Sequence, residues 1–184
     1  MKTLIIFITL SICTVIYAQD QKSNKSKSQD GKYGLTDTNR IVIIPAIYDD
    51  IKRISSDYYR TIKDNKVGLI DIKGNSVIPN QYEEVQQISK DYFKTTKEEK
   101  IGLVDLNGKV IISNEYDDIE QISQIYFTTT KNNKIGLVDI NGRKLIPNEY
   151  DEIIMEGVNS FKTKQGDKFG MYDFSKEKEI KNSR

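Results

Sequence analysis

The stretch Lys66–Glu99, KVGLIDIKGNSVIPNQYEEVQQISKDYFKTTKEE, decides the fold. Val67-Gly68-Leu69-Ile70-Asp71 is dominated by β-branched and aliphatic residues. Ser76-Val77-Ile78 follows a turn signal, so the two runs predict a β-hairpin. In the turn, Asp71-Ile72-Lys73-Gly74, the aspartate carboxylate can accept a local backbone hydrogen bond and the glycine can take a positive φ. Pro79 lacks an N–H for a ladder and is expected to end the second strand. Gln81-Tyr82-Glu83-Glu84-Val85 then turns the chain into a third strand, Tyr92-Phe93-Lys94-Thr95-Thr96-Lys97, and a polar link follows at Glu98-Glu99-Lys100. Alternation along that third strand puts Phe93 and Thr95 inward and Tyr92, Lys94 and Thr96 outward. No segment keeps a helical period, so the expected class is all-β.

The same 34-residue block occurs four times without insertion or deletion, over 32–65, 66–99, 100–133 and 134–167, and a partial capping copy covers 168–174. The marker step is KYGL at Lys32, KVGL at Lys66, KIGL at Lys100 and at Lys134, then KFGM at Lys168. The expected core columns are Leu35, Leu69, Leu103 and Leu137; Ile44, Ile78, Ile112 and Ile146; Tyr48, Tyr82, Tyr116 and Tyr150; Ile51, Val85, Ile119 and Ile153; and Tyr59, Phe93, Phe127 and Phe161. One copy buries little by itself, so neighbouring copies must complete each other's cores. The expectation is a tandem β-hairpin array stacked as an open solenoid, with a small closed β-propeller as the alternative. Arg40 replaces the turn glycine in the first copy, where a looser turn is expected.

Around the repeats, residues 1–18 have the pattern of a secretory signal, with Lys2 before an apolar run from Leu4 to Tyr17 and Ala18 before the cleavage point. That run is short for a bilayer span, so no transmembrane helix is expected in the mature chain. Export to the periplasm, cell surface or medium follows as the expectation. Lipidation at Cys13 is the lesser reading, because Ile12 is large where a small residue is usual. Cys13 is the only cysteine, so the mature chain has no disulfide and no thiolate ligand. Residues 19–31 are polar and are expected to be a tether, and 175–184 a charged tail.

Without Lys2, basic and acidic residues balance at 27 each, which argues against nucleic acid as a partner. Histidine is absent, excluding imidazole acid–base chemistry and histidine metal sites.

The order Lys-x-Gly-Leu-x-Asp, Asn-Gly-Lys, then Val-Ile-Pro-x-x-Tyr-Asp-x-Ile resembles the WG-repeat family, also called KWG repeats. KIGLVDINGRKLIPNEYDEI, residues 134–153, is the nearest copy to that pattern. The name-giving tryptophan is replaced by Tyr33, Val67, Ile101, Ile135 and Phe169. The resemblance implies a β-hairpin array and no particular activity, substrate or cofactor.

The acidic pairs Asp49/Asp50, Glu83/Glu84, Asp117/Asp118 and Asp151/Glu152 are the most enzyme-like feature. They recur in one turn column, whereas catalysis needs one site with unequal environments, so turn capping is the favoured reading. No catalytic residue, metal site or cofactor is assigned. The Asp-x-x-Gly turns at Asp71, Asp105 and Asp139 lack the further ligands of a calcium loop. The expected binding column is Tyr58, Tyr92 and Tyr126 beside Arg60, Lys94 and Lys162, with Ser160 breaking it in the fourth copy. Lys63, Lys97 and Lys131, with Lys66, Lys100 and Lys134, flank the links between copies. These features point to a non-enzymatic exported module that binds an envelope or secreted protein, or alternatively a polysaccharide.

Overall fold

The computed structural model describes residues 23–175, so the expected signal segment and most of the expected charged tail lie outside the described residues. The described chain is all strand and turn, in five antiparallel sheets. The first sheet holds β1 (Asn24–Lys27), β2 (Tyr33–Thr36) and β3 (Val42–Tyr48); the second holds β4 (Asp50–Arg53), β5 (Tyr58–Lys63), β6 (Lys66–Asp71) and β7 (Ser76–Tyr82). The third contains β8 (Glu84–Gln87), β9 (Tyr92–Lys97), β10 (Lys100–Asp105) and β11 (Val110–Tyr116), and the fourth β12 (Asp118–Gln121), β13 (Tyr126–Lys131), β14 (Lys134–Asp139) and β15 (Lys144–Tyr150). The fifth has three strands, β16 (Glu152–Gly157), β17 (Ser160–Gln165) and β18 (Lys168–Asp173). The array is open, as the periodicity implies.

Each sheet straddles two copies of the repeat, because the chain changes sheets at a single residue after the tyrosine column. Asp49, Glu83, Asp117 and Asp151 are those corner residues. The expected turn around Glu83 is therefore a step into the next sheet, and Glu84–Gln87 is a strand that the hairpin reading lacked. Conversely, the polar links such as Glu98-Glu99 are tight hairpin turns inside a sheet. Both central residues have positive φ (53° and 60° here; 52° and 58° at Asp64 and Asn65), the geometry that matches the twist of two paired strands.

Two expectations about strand limits need correction. Pro79 does not end β7, which runs on to Tyr82. The ladder steps from Leu69↔Ile78 to Val67↔Tyr82, leaving Pro79 in a bulge where no N–H is required. Gly68 lies under that bulge, and a Cβ there would stand 2.6 Å from the Ile78 carbonyl oxygen. Second, part of the expected tether is β1, which pairs with β2 as an exposed edge strand. Its polar sequence misled because an edge strand is held by backbone pairing and needs little apolar burial.

The core lies between sheets. Leu103, Ile112 and Tyr116 of the third sheet pack with Ile119, Phe127 and Val138 of the fourth, and Val67, Leu69, Ile78 and Tyr82 of the second pack with Val85, Phe93 and Val104 of the third. Leu35 and Ile44 meet Ile51, Tyr59 and Ile70, and Leu137 and Ile146 meet Phe161 in the same way. The predicted core columns are buried throughout the interior, while Tyr48, Tyr150 and Ile153 are half-buried. The column of Ile70, Val104 and Val138 was not predicted. A sheet packed on both sides buries residues that simple alternation assigns to solvent.

Candidate functional site

Three recurring sets of side chains hold the array together, two of them between sheets and one within a sheet. The first is centred on the corner acids. Lys100 Nζ lies 2.6 Å from Asp117 Oδ1, and Lys134 Nζ lies 2.5 Å from Asp151 Oδ1; Lys66 and Glu83 are 3.6 Å apart, and Lys32 binds Asp49. The same carboxylates accept backbone N–H bonds from the hairpin turn of the next sheet: Asp64 N to Asp49 Oδ2 at 2.8 Å, Glu98 N to Glu83 Oε1 at 3.1 Å, Asn132 N to Asp117 Oδ2 and Gly166 N to Asp151 Oδ2 at 2.7 Å each. The lysine of each Lys-x-Gly-Leu step is thus linked through one carboxylate to the following sheet. The bond from Lys100, then that from the Asn132 backbone, holds the Asp117 carboxyl below its ordinary value; for Glu83 the Glu98 and Glu99 backbones dominate.

The second acid of each pair has a different environment. Asp50 pairs with Lys25 and Asp118 with Lys94, both at 2.7 Å, while Glu84 and Glu152 are exposed on β8 and β16. The two carboxylates of a pair therefore bind different partners, which supports the turn-capping reading. Among the described residues, no group of three or more acidic, histidine or cysteine side chains is placed to hold a metal.

The second set begins from the inward face expected of Thr95 and adds a partner that the sequence reading lacks. Thr61, Thr95, Thr129 and Thr163 are buried. Asn114 Nδ2, in the bulge of β11, donates to Thr95 O at 2.7 Å, Thr95 Oγ1 at 3.2 Å and Lys100 O at 3.1 Å; Asn80 and Asn148 repeat this on Thr61 and Thr129. The available signal was the asparagine that follows each proline-column position, at Pro79, Ser113 and Pro147.

The third set comprises the tyrosine column, whose placement must be corrected. Tyr58, Tyr92 and Tyr126 do not face solvent. They lie edge-on against Phe93, Phe127 and Phe161 of the next sheet, with centroid distances of 5.7, 5.1 and 5.0 Å. Outward from one sheet is inward to its neighbour. Tyr126 is buried and its hydroxyl donates to Asn159 Oδ1 at 2.8 Å; Tyr58 and Tyr92 are half-buried, and burial raises both phenols.

Arg60, Lys94 and Lys162, with Thr128 in the same column, are half-buried and stand directly opposite Lys52, Gln86, Ile154 and Glu120 respectively. Those four partners are exposed, and they differ from sheet to sheet. Lys162 also lies over the Phe169 ring, 4.9 Å from its centroid. Beside it, Glu152, Ile154, Thr163 and Lys164 line an open hollow of about 240 Å³.

Stacked antiparallel sheets, joined to one another by repeated lysine–carboxylate contacts and braced internally in the second to fourth sheets by threonine–asparagine contacts, define a β-repeat module. The chain belongs to the WG-containing repeat family, whose model matches residues 33–66, 68–100 and 101–134. No curated protein matches the chain in sequence.

Proposed function

We propose that this repeat module is a non-enzymatic binding protein, exported from the cell, whose ligand is an envelope or secreted protein. The observation that carries the reading is the division of labour between residues. The repeated lysines, corner acids and tyrosines are engaged in joining sheets and the threonines in bracing them from within, whereas the exposed first-strand column changes from Lys52 to Gln86, Glu120 and Ile154. With its cross-strand partners Arg60, Lys94, Thr128 and Lys162 it forms a row that is basic in the second sheet, carries an acid in the fourth and ends on an aliphatic side chain in the fifth. A graded row on a regular backbone orients a partner of complementary gradient and rejects the reversed orientation. Export rests on the pattern of residues 1–18.

Affinity capture from envelope and culture-medium fractions with the chain from Gln19 tests this, using Lys52→Glu with Glu120→Lys as the reversed-gradient control. A protein retained at near-equal stoichiometry, and lost on reversal while the fold persists, supports the proposal. Retention that ignores the reversal removes the row from it. Polysaccharide recovered without protein supports the glycan reading instead.

A further inference from the structure

Where the third sheet meets the fourth, the incoming chain lays two adjacent acids and an aliphatic residue on three columns of the earlier sheet. Asp117 binds Lys100 at 2.6 Å, Asp118 binds Lys94 at 2.7 Å, and Ile119 is buried in one cluster with Leu103, Ile112 and Tyr116. The junction of the first and second sheets repeats this. Asp49 binds Lys32, Asp50 binds Lys25 at 2.7 Å, and Ile51 packs with Leu35 and Ile44. Lys25 stands opposite Leu35 as Lys94 stands opposite Leu103, so both clamps use the same columns.

The fifth sheet carries all three columns. Lys168 holds the place of Lys100, Lys162 that of Lys94 and Met171 that of Leu103. Among the described residues neither lysine is paired with a carboxylate. Met171 and Phe169 are exposed, and Lys162 lies over the Phe169 ring beside the open hollow of about 240 Å³. Glu152, on the same face, stands opposite Lys164 one column away. The face is therefore an apolar ledge with two cations at the spacing that two adjacent acids match elsewhere in the stack.

We propose that this end face docks an extended segment of another protein in which two adjacent carboxylates precede an aliphatic side chain. The inference rests on the reading of the chain as a binding module and adds the place and the chemistry of a partner segment. Charge and shape complementarity select that occupant: the carboxylates bind Lys168 and Lys162, and the aliphatic side chain covers Met171 as Ile119 covers Leu103. A second copy does not offer this segment. The first acid of each of its four pairs is held at a corner of its own stack, and its outermost strand, β1, carries no acid. Nor is the face shaped for a whole further sheet. Ser160 stands where Tyr58, Tyr92 and Tyr126 set a ring against the phenylalanine of the next sheet, so a short strand on the lysines and Met171 is what remains.

Titration of the full chain with the peptide YDDIEQIS, the sequence of residues 116–123, followed by NMR, tests the site. The Met171 methyl and Phe169 ring signals should shift saturably. Affinity should fall about tenfold for the peptide YNNIEQIS, and equally for the Lys162→Gln, Lys168→Gln variant, as expected for two lost surface ion pairs. It should be unchanged in the row-reversed Lys52→Glu, Glu120→Lys protein. No saturable shift at Met171, or equal affinity for the two peptides, overturns the proposal. Binding lost in the row-reversed protein and kept without the two lysines places the segment on the graded row, which overturns the end face and leaves the proposed function standing. Met171 shifts that grow with protein concentration in the absence of peptide assign the face to a second copy and also overturn it.

Discussion

The third and fifth sheets are built from equivalent residues, yet they differ in what those residues achieve. Leu103 and Met171 share a column, but Leu103 is fully buried and Met171 is 64% exposed. Ile101 is half-buried, while its equivalent Phe169 is also 64% exposed. The third sheet has a neighbour on both faces, whereas the fifth has one on its β16–β18 back face alone among the described residues. Burial here belongs to the interface between sheets, so the unit of stability is a pair of neighbours, as in other one-dimensional arrays.

The sharpest way to break that comparison uses two glycines of positive φ, in different turns and with different surroundings. Gly108 has φ 75°, and a Cβ there would collide with the Val77 carbonyl oxygen of the preceding sheet; Gly166 has φ 59° and nothing within 4 Å of an added Cβ. Gly108→Ala combines left-handed strain with overpacking against backbone and should destabilise by about 3 kcal/mol or more. Gly166→Ala carries only the conformational part, about 1 kcal/mol. Urea unfolding of both variants checks this. Equal effects would show that φ alone demands glycine and that the hairpin tips do not hold the sheets apart at a fixed spacing.

A smaller contrast is expected in the buried polar set. Asn114→Ala leaves Thr95 Oγ1, Thr95 O and Lys100 O without their shared donor and should cost about 2–3 kcal/mol. Ala46→Asn, in the same column but beside Ser26, a half-buried residue of the edge strand β1 that pairs with Gly34 as Thr95 pairs with Gly102, should change stability by less than about 0.5 kcal/mol. If Ala46→Asn proves as stabilising as Asn114→Ala is damaging, the asparagine acts through the bulge itself and not through a buried hydroxyl.

Much of this architecture was legible in the sequence because the period is strict. A column of Leu69, Leu103 and Leu137 identifies a core position even when no single strand does. The hairpin turns were also legible, since Asp71 Oδ1 accepts from the Lys73 and Asn75 backbones at 2.9 and 2.8 Å as its place in the motif implies. Even the Arg40 turn keeps this pattern, with Arg40 N donating to Asp37 O at 3.1 Å, so it is neither looser nor different in kind. What stayed hidden depends on the neighbouring sheet. Alternation separates two faces of a strand but does not say that both are covered, so Tyr58, Tyr92 and Tyr126 look solvent-facing from sequence although they lie against the next sheet. Likewise, the corner role of Asp117 requires knowing that Lys100 and Asn132 belong to different sheets. The candidate site was therefore legible as columns and illegible as geometry.

The corner acids offer the smallest and most condition-dependent test. Asp49, Glu83, Asp117 and Asp151 all have carboxyls held below their ordinary values, by their lysine or by backbone N–H groups of the next sheet. A depressed folded-state pKa favours the ionised folded form. Its stabilisation is complete above the unfolded carboxyl pKa of about 4 and is lost as pH falls through the lower folded values. The stack should therefore weaken on acidification below about pH 4, with the inner corners at Glu83 and Asp117 contributing alongside the outer ones. Asp117→Asn keeps the shape of the side chain and removes the charge. It should lower the melting temperature slightly at pH 7, and the difference from the unmodified chain should shrink as the pH is taken to 3. Because these groups are exposed, high salt should shrink it as well. Thermal melts across pH and salt decide the matter. A difference that persists unchanged at pH 3 would mean that Asp117 joins the third and fourth sheets by hydrogen-bond geometry with the Asn132 backbone, and that the charge of Lys100 contributes nothing to the junction.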